Sequence, residues 1–337
     1  MIRRRLLLSA LAWLAFAASL TAQKLSRAER RARVDSVLSL RYYTTPYDTN
    51  YVVRPEGRLT LKLRMNQTGN TFHAKGIVDE TDTKADLRTS SKTTFALAAV
   101  YRGIGVGLAF NPSKWAGIYK DYELNLNVYS SKLSLDASYQ WSESLAGDMR
   151  FDDETKPLVK GDVRMEVLNV VGYYTFNHQR FSYPAAFTQS YIQRRSAGSW
   201  LAGISYQGGS IKTTDALLTR NPDASVTRVY VGHLGIGGGY GYNWVPGPKW
   251  LLHFSMLPTV VVYNRNNMTV DGVRHRAHRM RFNMIFNERA ALVYQFSPRY
   301  YAVATLVMNN SIFDNNSVVV NQNKWRARAC FGMRLGK

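Results

Sequence analysis

The sequence predicts an all-β fold, an antiparallel transmembrane β-barrel of about 12 strands (alternative about 14) with a short N-terminal periplasmic helix. Three observations support it. The chain begins with an export signal, its later segments alternate apolar and polar residues, and aromatic residues cluster where those segments end. Successive side chains of a strand point to opposite faces, so repeated alternation gives one wall for lipid and another for a polar lumen.

The export signal consists of a basic segment followed by an apolar one. Arginines at 3–5 precede an apolar run over 6–20, and small residues predict cleavage after Ala22. The alternative is an uncleaved inner-membrane anchor, but the run is shorter than the ~20 apolar residues of a spanning helix. We therefore expect the mature protein in the outer membrane of a Gram-negative bacterium. The predicted organisation is a signal peptide over 1–22, a periplasmic N-terminal arm and linker over 23–57, and the barrel over 58–337.

The sequence of the arm predicts a basic helix over 24–40, because Ser26 and Glu29 have capping-box spacing before an irregular apolar stripe. A weakly ordered, solvated arm is the alternative. The following residues, 42–55, predict an extended linker, since two of them precede prolines and are biased away from helix. A basic arm of this kind suits a periplasmic partner.

Alternation predicts each strand in turn. The predicted strands are 58–66, 93–101, 103–110, 120–129, 132–142, 163–177, 197–207, 228–244, 249–263, 276–296, one that begins after Pro298, and 324–337. Short links near 102, 130, 246 and 297 predict periplasmic turns. The longer connections predict extracellular loops near 68–92, 111–119, 143–162, 208–227, 264–275 and 314–323. Bacterial barrels have even strand numbers, so dividing the segment at 276–296 leads to the higher alternative.

Aromatic residues flank two of the predicted turns. Tyr242, Trp244 and Trp250 surround the turn at Pro246, and Phe296 and Tyr300 surround the turn at 297. Amphipathic rings at headgroup depth produce such girdles in membrane barrels. A soluble β-sandwich, which would bury these rings in its core, is the alternative.

Charged residues on the polar faces predict a lumen with a cationic wall. Arg326, Arg328 and Arg334 share one face of the last strand, and closure places that strand beside the first, with Lys62 and Arg64. A cationic wall opposite a sparser acidic one favours anionic solutes. The alternative is a set of polar lumen residues that pair with one another. The other predicted lumen-lining residues are Glu123, Asp136, Arg279, Arg281 and Arg289.

One connection is longer than its position suggests. Residues 178–196 occupy the place of a short periplasmic turn, and Pro184 favours a helix over 184–193. Bare inward positions such as Gly241 let another part of the chain approach closely. The segment therefore predicts a plug or constriction of the lumen, with a solvated periplasmic loop as the alternative. Its candidate residues are Arg180, Pro184, Gln189, Gln193, Arg194 and Arg195.

Composition narrows the function classes. The net charge of +21 would suit nucleic-acid binding, but export and the scatter of the charges along strands oppose it, so we expect no nucleic acid. Outer-membrane lipid, lipopolysaccharide and small anionic solutes are the expected partners. The single cysteine, Cys330, excludes an internal disulfide. No metal or cofactor is expected, because His275 and His278 lie among arginines and the glycines of 232–239 do not fit the dinucleotide motif.

Enzymatic chemistry has one candidate site. His253 and Ser255 share a strand face, and His233 lies on the preceding strand. Two positions along a strand are ~6.6 Å apart, which is long for a hydrogen bond between a nucleophile and its base. We therefore expect no catalytic residue, and an outer-membrane lipid hydrolase remains only an alternative.

Two stretches resemble a known family. Residues 47–52 read Tyr-Asp-Thr-Asn-Tyr-Val, and Phe181 to Ser190 leads into 193–200, Gln-Arg-Arg-Ser-Ala-Gly-Ser-Trp. The chain resembles an uncharacterised exported family of Bacteroidetes outer-membrane proteins, domain of unknown function 4421. The resemblance covers nearly all of the mature chain and implies an outer-membrane barrel, but it implies no activity. From the residues we expect a pore or transport-related channel, with a non-conducting structural or assembly barrel as the main alternative.

Overall fold

The computed structural model divides into two compact units, residues 1–45 and 46–337. The predicted signal peptide, its cleavage site and, apart from Ser36, the helix at 24–40 lie outside the described residues. No helix in the described part of the chain is long and apolar enough to cross a membrane. The structure describes Ser36 and residues 45–57, 59–78, 80–101, 104–112, 121–220, 226–270, 272–276, 283–314 and 318–336.

Antiparallel strands make up nearly all of the second unit. The strands are β1 Val52–Val53, β2 Leu59–Val78, β3 Thr81–Arg88, β4 Lys92–Tyr101, β5 Ile104–Phe110, β6 Asp121–Tyr129, β7 Leu133–Ser142, β8 Ala146–Phe151, β9 Glu154–Leu158, β10 Val163–Thr175, β11 Ile192–Gln193, β12 Ala197–Thr213, β13 Val226–Trp244, β14 Trp250–Asn264, β15 Asn267–Val270, β16 Val273–Arg276, β17 Met284–Gln295, β18 Tyr300–Asp314 and β19 Val318–Leu335. In the described part of this unit, two short helices lie between strands, α1 Tyr183–Phe187 and α2 Asp215–Arg220.

The main sheet curls into a barrel whose ends meet. Its last strand, β19, pairs along its whole length with β2, so that Cys330 faces Arg64 and Gly332 faces Lys62. The predicted seam between the first and last strands is therefore confirmed. The circuit runs β2, β4, β5, β6, β7, β10, β12, β13, β14, β17, β18, β19 and back to β2. The exact number of membrane-crossing strands stays a prediction.

The period-two pattern explains which side chains face out. Leu108, Leu124 and Trp200 are 80%, 72% and 69% exposed, whereas the described alternate positions along most strands are buried or half-buried. Exposed apolar residues cost free energy in water, at roughly 25 cal/mol per Å², but none in a hydrocarbon layer. The outer wall is therefore built for lipid, and the inner wall surrounds the lumen.

The predicted long loops contain more β-structure than expected. β2 continues to Val78 and pairs with β3, while β8 and β9 form a hairpin that packs on β3. β15 and β16 form a further hairpin. In the β2 extension, β3 and β8, apolar side chains such as Phe72, Leu87 and Met149 face inward and charged ones face outward, but each run is short, so its sequence signal for a strand is weak. The extension lengthens the barrel at the end that carries the long connections.

Inward side chains form three layers along the barrel axis, and β10 shows all of them. Val163 and Val167 lie at the end with the long connections, Asn169 lies in the middle, and Val171 and Tyr173 lie near the short turns. All five are buried. The lumen is thus apolar at both ends and polar in between, and it is this layering that positions the candidate site.

Candidate functional site

The end of the barrel with the short turns is covered by two segments, 46–57 and 178–196, which we call the cap. Within it, Val52 pairs with Gln193 and Val53 with Ile192, as β1 and β11. The Asp48 amide donates to the Gln179 carbonyl at 2.9 Å. Backbone pairing over these residues ties the linker to the long connection, so the cap is one structural piece.

Helix α1 is the centre of the cap and is shorter than predicted. Its N-cap, Ser182, accepts a hydrogen bond from the Ala185 amide at 3.2 Å, and Pro184 occupies the first turn. The helix ends at Phe187 rather than at 193, because Gln189 adopts a left-handed backbone (φ 54°). Residues 192–193 then join β1, which an unbroken helix would have prevented.

Aromatic side chains of the cap insert between opposite walls of the lumen. Phe181, Tyr183 and Phe187 are buried, with ring centroids 5.8, 5.1 and 5.1 Å from that of His253 on β14. Tyr183 also lies 4.9 Å from Tyr173 of β10, edge to face, and on the opposite wall Phe187 lies 5.5 Å from Tyr129 of β6. Val293, Tyr301 and Val303 from β17 and β18 complete this cluster. The cap is therefore anchored by a hydrophobic core inside the lumen rather than resting on its edge.

A chain of buried amides fixes the cap to the wall. The Gln193 carboxamide donates to the Arg180 and Arg195 carbonyls at 2.6 and 3.0 Å. Its oxygen accepts from the Ser182 amide and from Asn243 of β13, at 3.2 and 2.9 Å. Every hydrogen-bonding position of this side chain is satisfied, so Gln193 links the cap to the barrel wall without leaving a buried polar atom unpaired.

The same chain continues to the predicted histidine and serine. Asn243 Oδ1 lies 2.7 Å from His253 Nδ1, and His253 Nε2 lies 2.9 Å from Ser255 Oγ. Our spacing argument against a direct histidine–serine contact is wrong, because the imidazole leans along the strand and covers the rise. His233 lies elsewhere, stacked on Phe313 at 3.8 Å. Ser255 is 1% exposed beneath the cap, so this arrangement is closed to substrate.

Beneath the cap lies a buried ion pair between opposite walls. Arg289 of β17 donates to Asp136 Oδ2 of β7 through Nη2 and Nε, at 2.6 and 3.1 Å. The other carboxylate oxygen accepts from Asn127 and Tyr129 at 2.7 and 2.6 Å. The Arg289 guanidinium also lies 4.6 Å from the centre of the Tyr173 ring. Full burial is sustained because nearly every polar atom has a partner.

Other predicted lumen cations also donate hydrogen bonds to neutral oxygens of the interior. Lys62 Nζ donates to the Thr188 carbonyl of the cap at 2.6 Å. Arg326 donates to Asn125 of β6 at 2.6 Å, crossing the lumen. Arg328 bonds to Asn66 at 2.6 Å, and Arg334 to Gln295 at 2.9 Å. In the described interior, few of these cations pair with a carboxylate. Most of their positive charge is instead stabilised by hydrogen bonds to neutral oxygens.

The remaining predicted residues are placed as follows. Arg279 and Arg281 lie outside the described residues, Arg64 is half-buried on β2, and Glu123 accepts from Thr68 at 2.8 Å. Two further lumen cations were missed by our sequence analysis, Lys92, 3.5 Å from Asp121, and Lys324, 2.9 Å from Ser138. Lys324 was detectable, because it shares the even-numbered face with Arg326. Among the described residues, no group of three histidine, cysteine or carboxylate side chains is placed to hold a metal ion.

Comparison with known proteins assigns the family. The family described as a domain of unknown function, DUF4421, matches residues 46–334. The chain belongs to this family. The predicted resemblance is confirmed to that extent, while an origin in Bacteroidetes stays a prediction. No curated protein matches the chain.

Solved structures with a similar chain course share little sequence with this DUF4421 protein. The outer membrane protease OmpT of Escherichia coli has 8% identity and a TM-score of 0.40, covering 87% of this chain and 100% of that one. The translocator domain of autotransporter NalP from Neisseria meningitidis has 12% identity and a TM-score of 0.32, covering 91% of this chain and 96% of that one. The COG4313 outer membrane channel from Pseudomonas putida F1 has 11% identity and a TM-score of 0.29, covering 86% of this chain and 100% of that one. Scores of this size carry no argument about activity.

The two stretches by which we recognised the DUF4421 family contact each other in the cap. Arg180 lies 5.0 Å from the Tyr51 ring and 3.8 Å from the Asp48 carboxylate. The Arg194 amide donates to the Tyr51 carbonyl at 2.7 Å, and the Arg195 guanidinium lies 6.0 Å from the centre of the Tyr51 ring.

Two tyrosines of the cap are neutral. Burial raises the pKa of the Tyr183 phenol to about 12 and also raises the pKa of Tyr47, so both phenols keep their protons at physiological pH.

Substituting Gly241 should loosen the cap. A Cβ here would lie 3.0 Å from Cζ of Phe181 and 3.1 Å from Cβ of Ser255, so Gly241→Leu must displace the Phe181 ring. We expect tryptic cleavage after Arg194 or Arg195 in the folded protein to accelerate roughly tenfold, because cleavage requires local opening. Gly172→Leu is the matched control, since nothing in the described structure lies within 4 Å of that position. Equal cleavage rates in the two variants would contradict this role for Gly241.

Proposed function

We propose that this DUF4421 protein is an outer-membrane transport barrel that its cap holds closed at rest and that favours anionic solutes when open. The observation that carries the proposal is the position of α1, whose five residues are all buried between opposite walls of the lumen. A loop that only decorated the edge of the barrel would not need hydrophobic packing and hydrogen bonds inside the lumen. The end with the cap and short turns would face the periplasm.

A second constriction of the lumen, in its middle layer, supports a resting state that does not conduct ions. In the middle layer, Arg289, Lys324 and Arg326 reach across the lumen to the opposite wall. The cavity that Lys324 and Arg326 line with Asn169 has a volume of about 20 Å³, room for about one water molecule. These two cations are held by neutral side-chain oxygens, so we expect the layer to open once the cap is displaced.

The buried position of α1 also favours the second candidate, a non-conducting barrel that binds a periplasmic partner. The exposed side chains of Arg180, Arg194 and Arg195 would then form the contact surface at the outer face of the cap. The two candidates differ in whether the closed lumen can be opened without unfolding the barrel. A lipid hydrolase is not supported by the geometry, because Ser255 is buried.

The experiment is ion conductance across planar bilayers. Phe181→Ala, Tyr183→Ala and Phe187→Ala together remove the anchors of the cap, and we expect discrete current steps from the triple variant and none from the wild type. The control removes three lipid-facing aromatic residues, Trp200, Phe254 and Phe331, which are exposed on the outer wall. It should remain silent.

Folding of each variant is checked by its β-type circular dichroism and by the shift of its gel mobility on heating. Silence of a folded triple variant would reject the channel and favour the partner-binding barrel. Steps of equal size from the control would show that the currents come from a damaged outer wall, and would also reject the proposal.

A further inference from the structure

The lumen opens into an apolar cavity at the end opposite the cap. The cavity has a volume of about 920 Å³ and is bounded by inward residues of the extended strands, by the β8–β9 hairpin and by α2. Its apolar lining includes Phe72, Leu145, Met149, Val167, Ile211 and Phe313. Lumen walls of membrane barrels are ordinarily polar, so this lining is not explained by contact with water.

Burial within this lining reflects packing among the hairpin, the barrel wall and α2. Leu145 and Leu158 are fully or nearly fully buried against Val163 of β10, and Phe72, Ile211 and Leu217 lie beside them half-buried. The hairpin thus forms a fixed side wall and not a mobile flap. Enclosed apolar cavities of roughly 300–1,000 Å³ with a few polar groups are typical of small-molecule sites.

The floor of the cavity carries a polar group that lacks a partner. Gln207 Nε2 donates to Gln322 Oε1 at 2.5 Å, and Gln322 Nε2 donates to Asn70 Oδ1 at 3.2 Å. The remaining acceptor of Gln207, Oε1, is buried and has no hydrogen-bond partner among the described residues, although the side chain is only 2% exposed. A buried acceptor without a donor is unfavourable, and a bound donor would relieve it.

An aromatic surface lies beside this acceptor. His233 and Phe313 both line the cavity and stack with their ring centroids 3.8 Å apart. Gln207 and His233 are register partners on β12 and β13, so the acceptor and the stacked rings are neighbours. A planar ring that carries one hydroxyl would match both features.

We infer that this cavity is a binding site for a small apolar molecule with a single hydrogen-bond donor, an aromatic alcohol being the best-matched class. The apolar body occupies the space between the hairpin and the barrel wall, and the hydroxyl donates to Gln207 Oε1. The inference goes beyond transport, because the site is complete in the closed barrel and does not require the lumen to conduct.

The test is equilibrium dialysis of 2-naphthol and naphthalene against the protein in lipid nanodiscs, with uptake by empty nanodiscs subtracted. The two probes differ only in the hydroxyl. We expect the wild type to bind 2-naphthol about tenfold more tightly than naphthalene, which corresponds to one buried hydrogen bond. Gln207→Met should remove this difference and leave naphthalene binding unchanged.

A second variant tests the cavity itself. Ala74 lines the cavity from β2, and Ala74→Trp should fill it and abolish saturable binding of both probes. Ala99→Trp, on the exposed outer face of β4, is the matched control and should bind both as the wild type does. Absence of saturable binding by the wild type, unchanged binding by folded Ala74→Trp, or an equal loss of both probes in Gln207→Met would overturn the inference.

Discussion

Asp136→Asn should lower the free energy of unfolding by about 3–5 kcal/mol, the range found when one partner of a buried ion pair is removed. The asparagine keeps the shape of the side chain but leaves the Arg289 guanidinium charged and 1% exposed, with no carboxylate within reach in the described structure. Tyr129 and Asn127 would also lose the charged acceptor to which both donate. The measurement is urea unfolding of the protein in lipid vesicles, followed by tryptophan fluorescence.

Two further variants make this result specific. Asp148→Asn, at an exposed position of β8, changes the same functional group and should alter the free energy of unfolding by less than about 0.5 kcal/mol. Combining Asp136→Leu with Arg289→Met removes both charges, and most of the loss should be recovered, because no buried charge is left unpaired. A single Asp136→Asn variant as stable as the wild type would show that the ion pair does not hold the two walls together.

Much of the barrel could be predicted from sequence because a strand has the simplest periodicity in proteins. Alternation over 120–129 predicts Leu124 and Leu126 on the lipid-facing wall, where both are exposed, and the first and last strands meet at the predicted seam. Lipid on one side and side chains on the other enforce alternation at every position, so a single chain carries the signal. The family could likewise be recognised from two short stretches, which prove to be neighbours in the cap.

The partners of the lumen side chains could not be predicted, because pairing across a lumen leaves no local pattern. Asp136 and Arg289 are separated by 153 residues, and only the curvature of the sheet brings them together. The end of α1 depends on the backbone of Gln189 and on the pairing of β11 with β1, neither of which appears in the spacing of residues. The apolar cavity was missed because its lining combines predicted strands with segments, such as those of Phe72, Met149 and Ile211, that had been predicted as loops.

The hydrogen bonds of the lumen arginines also change how the predicted cationic wall is understood. In the closed barrel, Arg326 and Arg328 are bonded to asparagine oxygens, so they do not face an open path. Neutral oxygens hold a guanidinium less firmly than a carboxylate does, and charge-assisted pairing is retained at Asp136 instead. These arginines can therefore be released when the barrel opens, while the buried ion pair keeps opposite walls in register.

In the barrel opened by the triple alanine variant of the cap, Arg326→Gln and Arg328→Gln together should abolish the preference for anions. The permeability ratio of chloride to potassium should fall from several-fold above unity to about 1, since charged side chains that line a pore set its selectivity. The measurement is the reversal potential in a tenfold gradient of potassium chloride. Low ionic strength sharpens the contrast, because screening is weaker there.

The matched control removes two positive charges from the outer wall. Arg164 and Lys212 are register partners on β10 and β12 and lie on the face opposite the lumen residues, so their replacement by glutamine should leave the reversal potential unchanged. An equal shift in both double variants would assign selectivity to the overall charge of the protein. An unchanged potential in the Arg326 and Arg328 variant would show that ions pass elsewhere, and that the cationic face of β19 serves only to close the lumen.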